Sequence, residues 1–226
     1  MSEIIDVSKK HQDIFYSFLD EAKVFFDSDQ GHKYPYTGIT RLDGKAGLGY
    51  VNKDIENGAF KESFAFNLRN DKVPFKVEKV VESFQEIGFN YLRNMNEYFC
   101  DMHDEQPLIR IHKYNTDFEY LSEDDEKLRF FPHKDYGTIT LLYQFDDVKG
   151  LQYKTFKTEW VDFDFDPSKI MVMYGMLLEE FGFDATLHRM INNDKRVRYS
   201  MSAHFDLKQK YLGDMTIKER LGIKER

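Results

Sequence analysis

The spacing of apolar residues divides the chain into a helical first third and a strand-rich remainder. From Asp13 to Phe26, apolar side chains recur every three or four residues, which predicts an amphipathic helix. The same period predicts a second helix from about Lys76 to Cys100. Between them, residues 31–50 carry several glycines and no sustained period, which indicates a loop.

Beyond Pro107, short runs of β-branched and aromatic residues replace the helical period. The predicted strands are 108–114, 138–145, 151–155, 169–175 and 196–205. Short strands at such close spacing favour a barrel or a jelly roll over alternating β–α units. The acidic run 123–126 is interpreted as an exposed loop, and KERLGIKER at 218–226 as a short exposed helix.

These patterns predict a mainly β fold with N-terminal helices. The expected organisation is a helical and loop region over 1–106, a jelly-roll core over 107–206, and a helical tail over 207–226.

Composition narrows the class of protein. Hydrophobic residues make up 41% of the chain and aromatics 16%, which is enough for a core and argues against disorder. The net charge of -8 gives no electrostatic reason to bind nucleic acid or an anionic membrane. One cysteine allows no intrachain disulfide, and no apolar run is long enough for a signal peptide or a membrane span. We therefore expect a cytoplasmic protein without nucleic-acid or membrane partners.

Three residues suggest a metal site. His133 and Asp135 lie two apart before a predicted strand, so on an extended chain their side chains share a face. His188 offers a third ligand, and two imidazoles with one carboxylate form the facial triad that suits non-heme Fe(II). The His-x-Asp pair alone is a weak signal, because seven histidines and 40 acidic residues make chance pairs common.

Arg198 and Ser200 suggest an anion site. They share one face of a predicted strand, and the apolar neighbours Tyr199 and Met201 indicate burial. A buried guanidinium needs a partner, best a bidentate carboxylate. That partner is either an acidic side chain of this chain or a dicarboxylate whose other end chelates the metal.

Several segments together resemble the isopenicillin N synthase-like 2-oxoglutarate- and Fe(II)-dependent dioxygenases. HKDYGTITLLYQFDDVKGLQ at 133–152 resembles their metal-ligand strand and the following turn. ATLHRM at 185–190 is similar to their second-histidine strand, and RYS at 198–200 to their R-x-S element. RIHKY at 110–114 resembles their first core strand, and KESFAF at 61–66 the segment before their long helix.

The resemblance implies a double-stranded β-helix, a cupin-like jelly roll, with helices packed outside. His133, Asp135 and His188 would ligate Fe(II), while Arg198, Ser200 and Tyr114 would contact 2-oxoglutarate. The implied enzyme is an oxidoreductase that uses dioxygen to hydroxylate a small molecule, with release of succinate and CO2.

Two departures from the family pattern carry expectations of their own. His112 stands where plant-type members commonly carry asparagine, so it faces either solvent or substrate. The family's opening strand and helix have no evident counterpart, which predicts an unusually open site or one closed by a second protomer, as in a homodimer.

Two alternatives stay open from the sequence. One is an Fe(II) oxidase of the same fold that does not use 2-oxoglutarate, and the other is a non-catalytic jelly-roll binding protein. The residues do not identify the substrate, nor do they distinguish hydroxylation from desaturation or cyclisation.

Overall fold

The computed structural model describes residues 2–37, 48–53, 61–70, 72–115, 120–121, 127–154, 159–191, 195–213 and 215–222. The strands are β1 Ser2–Asp6, β2 Gly49–Lys53, β3 Lys61–Phe66, β4 Leu108–Tyr114, β5 Tyr120–Leu121, β6 Lys127–His133, β7 Ile139–Gln144, β8 Leu151–Lys154, β9 Trp160–Asp162, β10 Lys169–Tyr174, β11 His188–Ile191 and β12 Arg198–Phe205. The α-helices are α1 Lys9–Phe26, α2 Gln30–Lys33, α3 Glu78–Met95, α4 Glu97–Met102, α5 Gln209–Leu212 and α6 Ile217–Arg220.

The strands form two antiparallel sheets. The large sheet has seven strands in the order β1-β10-β7-β12-β4-β3-β2, and the small sheet has five in the order β5-β6-β11-β8-β9. The successive strands β6, β7 and β8 alternate between the sheets, so β7 lies between β10 and β12 rather than beside β6 or β8. This is the expected double-stranded β-helix, and the predicted fold class is confirmed.

The two faces of the large sheet have different environments. On β4, Ile109 and Ile111 point to the outer face, where they join an apolar core with α1 and α3. On the inner face, Leu142 and Met173 pack with Leu151 and Met190 of the small sheet. Strand alternation thus directs every second side chain into the space between the sheets.

Both long helices predicted from the sequence are present, but their ends differ from the predicted ones. The first begins at Lys9, because the side chain of Ser8 accepts a hydrogen bond from the His11 amide and caps it. The second ends at Met95, because Asn96 is extended and caps the short α4 that follows. The helical period continues across this break, which explains why the sequence predicts one helix there.

The expectation of only helix and loop before residue 107 is wrong, because three strands lie there. β1 pairs with β10 at an edge of the large sheet, and β2 and β3 extend the other edge from β4. A strand and a helix, β1 and α1, therefore open the chain. β1 is short and mostly exposed, so its sequence has little alternation, and only pairing with a distant strand reveals it.

Other expectations concern the loops and the tail. The acidic run 123–126 lies outside the described residues, whereas α6 forms at the start of the predicted C-terminal helix. The division at residues 106 and 206 stays a prediction. None of the helices in the described ranges is long and apolar enough to cross a membrane.

Candidate active site

His133, Asp135 and His188 come together in the structure. Each offers a ligand atom, and these atoms lie within 4.8 Å of one another. His133 ends β6 and faces His188 across the strand pair, with the ring centroids 4.2 Å apart. Asp135 lies beyond the end of β6, with Oδ1 3.8 Å from His133 Nε2. A turn between the sheets, rather than alternation along one strand, therefore makes the two side chains converge.

Backbone hydrogen bonds hold the segment that carries Asp135. The Met176 amide donates to the Asp135 carbonyl at 2.8 Å, and the Gly175 amide donates to the Thr138 carbonyl at 2.7 Å. A Cβ on Gly175 would overlap the Gly137 carbonyl oxygen, so only glycine permits this approach.

The hydrogen bonds of the two imidazoles define their tautomers. Nδ1 of His133 lies 2.8 Å from the Phe131 carbonyl, and Nδ1 of His188 lies 3.2 Å from the Thr186 carbonyl. Because a carbonyl can only accept, each Nδ1 carries the proton and each Nε2 keeps its lone pair. Burial, helped by the neighbouring His188, lowers the pKa of His133 to about 4, which keeps this ring neutral at neutral pH.

Asp135 is ionised in this setting. Burial alone would raise its pKa, but the imidazoles of His188, His204 and His133 and the hydroxyl of Thr140 hold that pKa well below its usual range. Imidazole lone pairs beside a carboxylate form a donor set for a divalent transition metal.

A chain of hydrogen-bonded side chains, here called the polar chain, runs from β3 to Asp135. Its members are Ser63, His112, Ser202, His204, Thr140 and Asp135, linked at 2.8, 3.1, 3.1, 3.2 and 2.7 Å in that order. It crosses β3, β4, β12 and β7, so only the assembled large sheet creates it.

The direction of every bond in the polar chain follows from its last member. The Thr140 hydroxyl donates to the Asp135 carboxylate, so the Thr140 oxygen accepts from Nδ1 of His204. Nε2 of neutral His204 then accepts from Ser202, whose oxygen accepts from Nε2 of His112. Burial lowers the pKa of His204 to about 4 and that of His112 well below its usual range, which matches two neutral rings.

Arg198 and Ser200 share the inner face of β12, as predicted. Both are fully buried, and Arg198 Nη2 donates to the Gln144 side-chain oxygen at 3.0 Å. Nε and Nη1 of Arg198 and the hydroxyl of Ser200 have no hydrogen-bond partner among the described residues. The ring of Tyr114 lies 5.3 Å from the Arg198 guanidinium.

The partner of Arg198 is therefore not an acidic side chain in the part of the chain that the structure describes. Buried donors without acceptors are costly, and a carboxylate would satisfy several of them at once. The residues present thus fit a ligand carboxylate at this position.

A cavity of about 580 Å³ lies between the sheets. The three candidate ligands line it, together with Tyr114 and His112. His112 is 5% exposed, so of the two expectations for this residue, solvent exposure is wrong.

Sequence reasoning missed Thr140, Ser202, His204 and Arg110, which also line the cavity. The alternation along 196–205 places Ser202 and His204 on the same face as Arg198. This pattern would have identified both as residues of the site.

Fold and candidate site together define a jelly-roll protein equipped for a non-heme metal and an anionic ligand. Residues 105–205, which contain all three candidate metal ligands as well as Arg198 and Ser200, match the model of the 2OG-Fe(II) oxygenase superfamily. The stretch that carries the candidate site thus matches this superfamily, and the resemblance found in the sequence is confirmed.

Similar proteins agree with this assignment. A homoarginine-6-hydroxylase of Glycine max is 38% identical over 72 residues, covering 30% of this chain and 22% of that protein. A Neurospora crassa protein solved in complex with alpha-KG and 5-formyluracil is 20% identical, with a TM-score of 0.73, covering 92% of this chain and 75% of that one. The 2-oxoglutarate complex of the Arabidopsis thaliana dioxygenase for auxin oxidation is 17% identical, with a TM-score of 0.70, covering 92% and 84%. At these identities the structural likenesses show the fold.

Proposed function

We propose that this chain is a non-heme Fe(II)- and 2-oxoglutarate-dependent dioxygenase that hydroxylates a small molecule and releases succinate and CO2. The observation that carries the proposal is a set of three buried donors without partners among the described residues. They are Nε and Nη1 of Arg198 and the Ser200 hydroxyl, on the face of β12 whose Ser202 and His204 line the cavity. A hydroxylase name among the relatives and 2-oxoglutarate complexes among the similar structures support it.

Each side chain has a role in this proposal. Nε2 of His133, Nε2 of His188 and the Asp135 carboxylate would hold Fe(II). Arg198, through Nε and Nη1, and Ser200, through its hydroxyl, would hold the distal carboxylate of 2-oxoglutarate. When bound, iron and co-substrate supply the dioxygen-dependent oxidation of a C–H bond, coupled to decarboxylation of 2-oxoglutarate.

The surrounding residues prepare this chemistry. The polar chain holds one carboxylate oxygen of Asp135 through Thr140, which orients the other oxygen toward the histidines. Tyr114 stacks beside Arg198 and covers the buried guanidinium. Leu142 and Met173 form an apolar wall that excludes water from the site.

The test is succinate formation from 2-oxoglutarate in air with the Fe(II)-loaded protein, followed by NMR. Because substrate-free dioxygenases turn over 2-oxoglutarate slowly, the expected signal without substrate is weak but metal-dependent. His188→Ala should abolish it, whereas His32→Ala, which removes an exposed histidine on α2, should not.

Two results would contradict the proposal in different ways. Iron binding without 2-oxoglutarate binding would favour the Fe(II) oxidase of the same fold. Failure to bind either would favour the non-catalytic binding protein.

The proposal keeps three further predictions. The acidic net charge supports a small-molecule substrate rather than nucleic acid or a membrane surface. The cytoplasmic location rests on cysteine usage, and the homodimer stays a prediction.

A further inference from the structure

Arg110 lies on the inner face of β4. Along this strand Leu108, Arg110, His112 and Tyr114 line the cavity, whereas Ile109 and Ile111 point into the outer core. The guanidinium of Arg110 therefore belongs to the wall of the candidate active site.

Other cationic side chains of the cavity have evident partners. Arg69 makes a two-pronged contact with Asp104 at 2.8 and 3.1 Å, and Lys134 binds Glu179 at 2.6 Å. Arg189 donates to Gln152 at 2.9 Å and stacks on Trp160. Lys61 lies over the Phe130 ring, 4.1 Å from its centroid.

Arg110 differs from these cations. Within the described ranges its guanidinium has neither a hydrogen bond nor a carboxylate at ion-pair distance. Burial lowers its pKa, while Asp135 and Asp206 attract it from farther away and raise that pKa. Because an arginine does not lose its proton in a protein, the cavity holds a positive charge with unused donors.

The position of Arg110 separates it from the Arg198 site. In the antiparallel pair of β4 and β12, Arg198 is opposite Tyr114 and Ser202 is opposite Arg110. Four residues along a strand span about 13 Å, so one small anion cannot occupy both sites. Arg110 lies at the end of this face where His204 and Thr140 approach Asp135, which puts it beside the candidate metal centre.

We infer that Arg110 binds a carboxylate of the substrate, so that the substrate class is small carboxylic acids. The inference rests on the proposed function, since it assigns the second half of the same cavity. A single planar guanidinium offers the two parallel donors that match a carboxylate. Binding there would hold the carbons next to the carboxylate near the metal centre.

The experiment uses protein loaded with Zn²⁺, which does not turn over, and 2-oxoglutarate. Small aliphatic, aromatic and α-amino carboxylic acids are the probes, each compared with its own carboxamide by ligand-observed NMR. Wild type should bind at least one acid more tightly than its amide. Arg110→Met should weaken that acid about 10- to 100-fold, the loss of one charge-assisted contact, and leave the amide almost unchanged.

Arg69→Met is the matched control, because it removes an arginine of the same cavity that already has a partner. It should keep the preference for the acid. Both variants should bind Zn²⁺ and 2-oxoglutarate like wild type, and the melting temperature of metal-free Arg110→Met should not fall, because Arg110 contributes no ion pair within the described residues.

The inference is overturned if no acid binds wild type better than its amide, or if Arg110→Met keeps the preference. It is also overturned if Arg110→Met lowers the melting temperature without changing acid binding, because Arg110 is then structural. If the wild-type protein itself does not bind 2-oxoglutarate, the result contradicts the proposed function instead.

Discussion

Replacement of Arg198 tests the proposed co-substrate site most directly. The guanidinium is fully buried and donates through Nη2 to Gln144, whereas Nε and Nη1 have no partner among the described residues. Arg198→Ala would leave the distal carboxylate of 2-oxoglutarate buried without its counter-charge, which costs about 3–5 kcal/mol. That corresponds to an affinity loss on the order of hundreds- to thousands-fold.

Two milder changes grade the effect. Ser200→Ala removes one hydrogen bond to a charged group, worth about 1.5–3 kcal/mol. Arg198→Lys keeps the charge but loses the planar pair of donors. The expected order of 2-oxoglutarate affinity is therefore wild type, then Ser200→Ala and Arg198→Lys, and last Arg198→Ala.

The assay is an anaerobic titration of the Fe(II) protein with 2-oxoglutarate, followed through the metal-to-ligand absorption band. Iron affinity is measured separately and should be unchanged, because Arg198 contacts none of the three candidate ligands. Arg196→Ala is the matched control, since Arg196 lies just before β12 and pairs with Asp147 at 2.9 Å on the surface. Equal 2-oxoglutarate affinity in Arg198→Ala and wild type would refute the assignment.

Three further predictions concern the supports of the site and the core. Thr140→Val removes the donor to Asp135 and should weaken Zn²⁺ or Fe(II) binding about 10- to 100-fold in a competition titration; unchanged affinity would remove Thr140 from the metal centre. Burial alone would raise the pKa of Glu62. Hydrogen bonds from Lys33 at 2.9 Å and from Tyr50, together with nearby lysine charges, have the larger effect, so the pKa of Glu62 is lowered overall. A carboxylate with a lowered pKa stabilises the folded state. The stabilisation from Glu62 is therefore present above the unfolded pKa of about 4.3 and is lost as the pH falls through the lower folded pKa. Glu62→Gln should lower the urea midpoint of unfolding at neutral pH and weaken its dependence on acid pH. An unchanged plot of midpoint against pH would show that the Lys33–Glu62 ion pair does not stabilise the fold. Gly175→Ala forces a Cβ against the Gly137 carbonyl and should lower both melting temperature and metal affinity, whereas wild-type values for both would show that the turn adapts.

The sequence alone determined which residues face inward on a recognised strand. Alternation has a period of two and depends only on the local backbone, so the sequence by itself places Arg198 and Ser200 on one face. The apolar period likewise located α1 and α3, because a helix that packs on a sheet must present one apolar stripe.

Only the tertiary structure decided what meets across the strands. β1 is identified as a strand only by its pairing with β10, because a short exposed edge strand has no alternation of apolar and polar residues. His133 and His188 face each other because β6 and β11 are neighbours, although the two residues are far apart in sequence. The free donors of Arg110 follow from where the other charged groups of the described residues lie. Local periodicity determines the face of a residue, whereas its partners depend on the register and packing of distant strands.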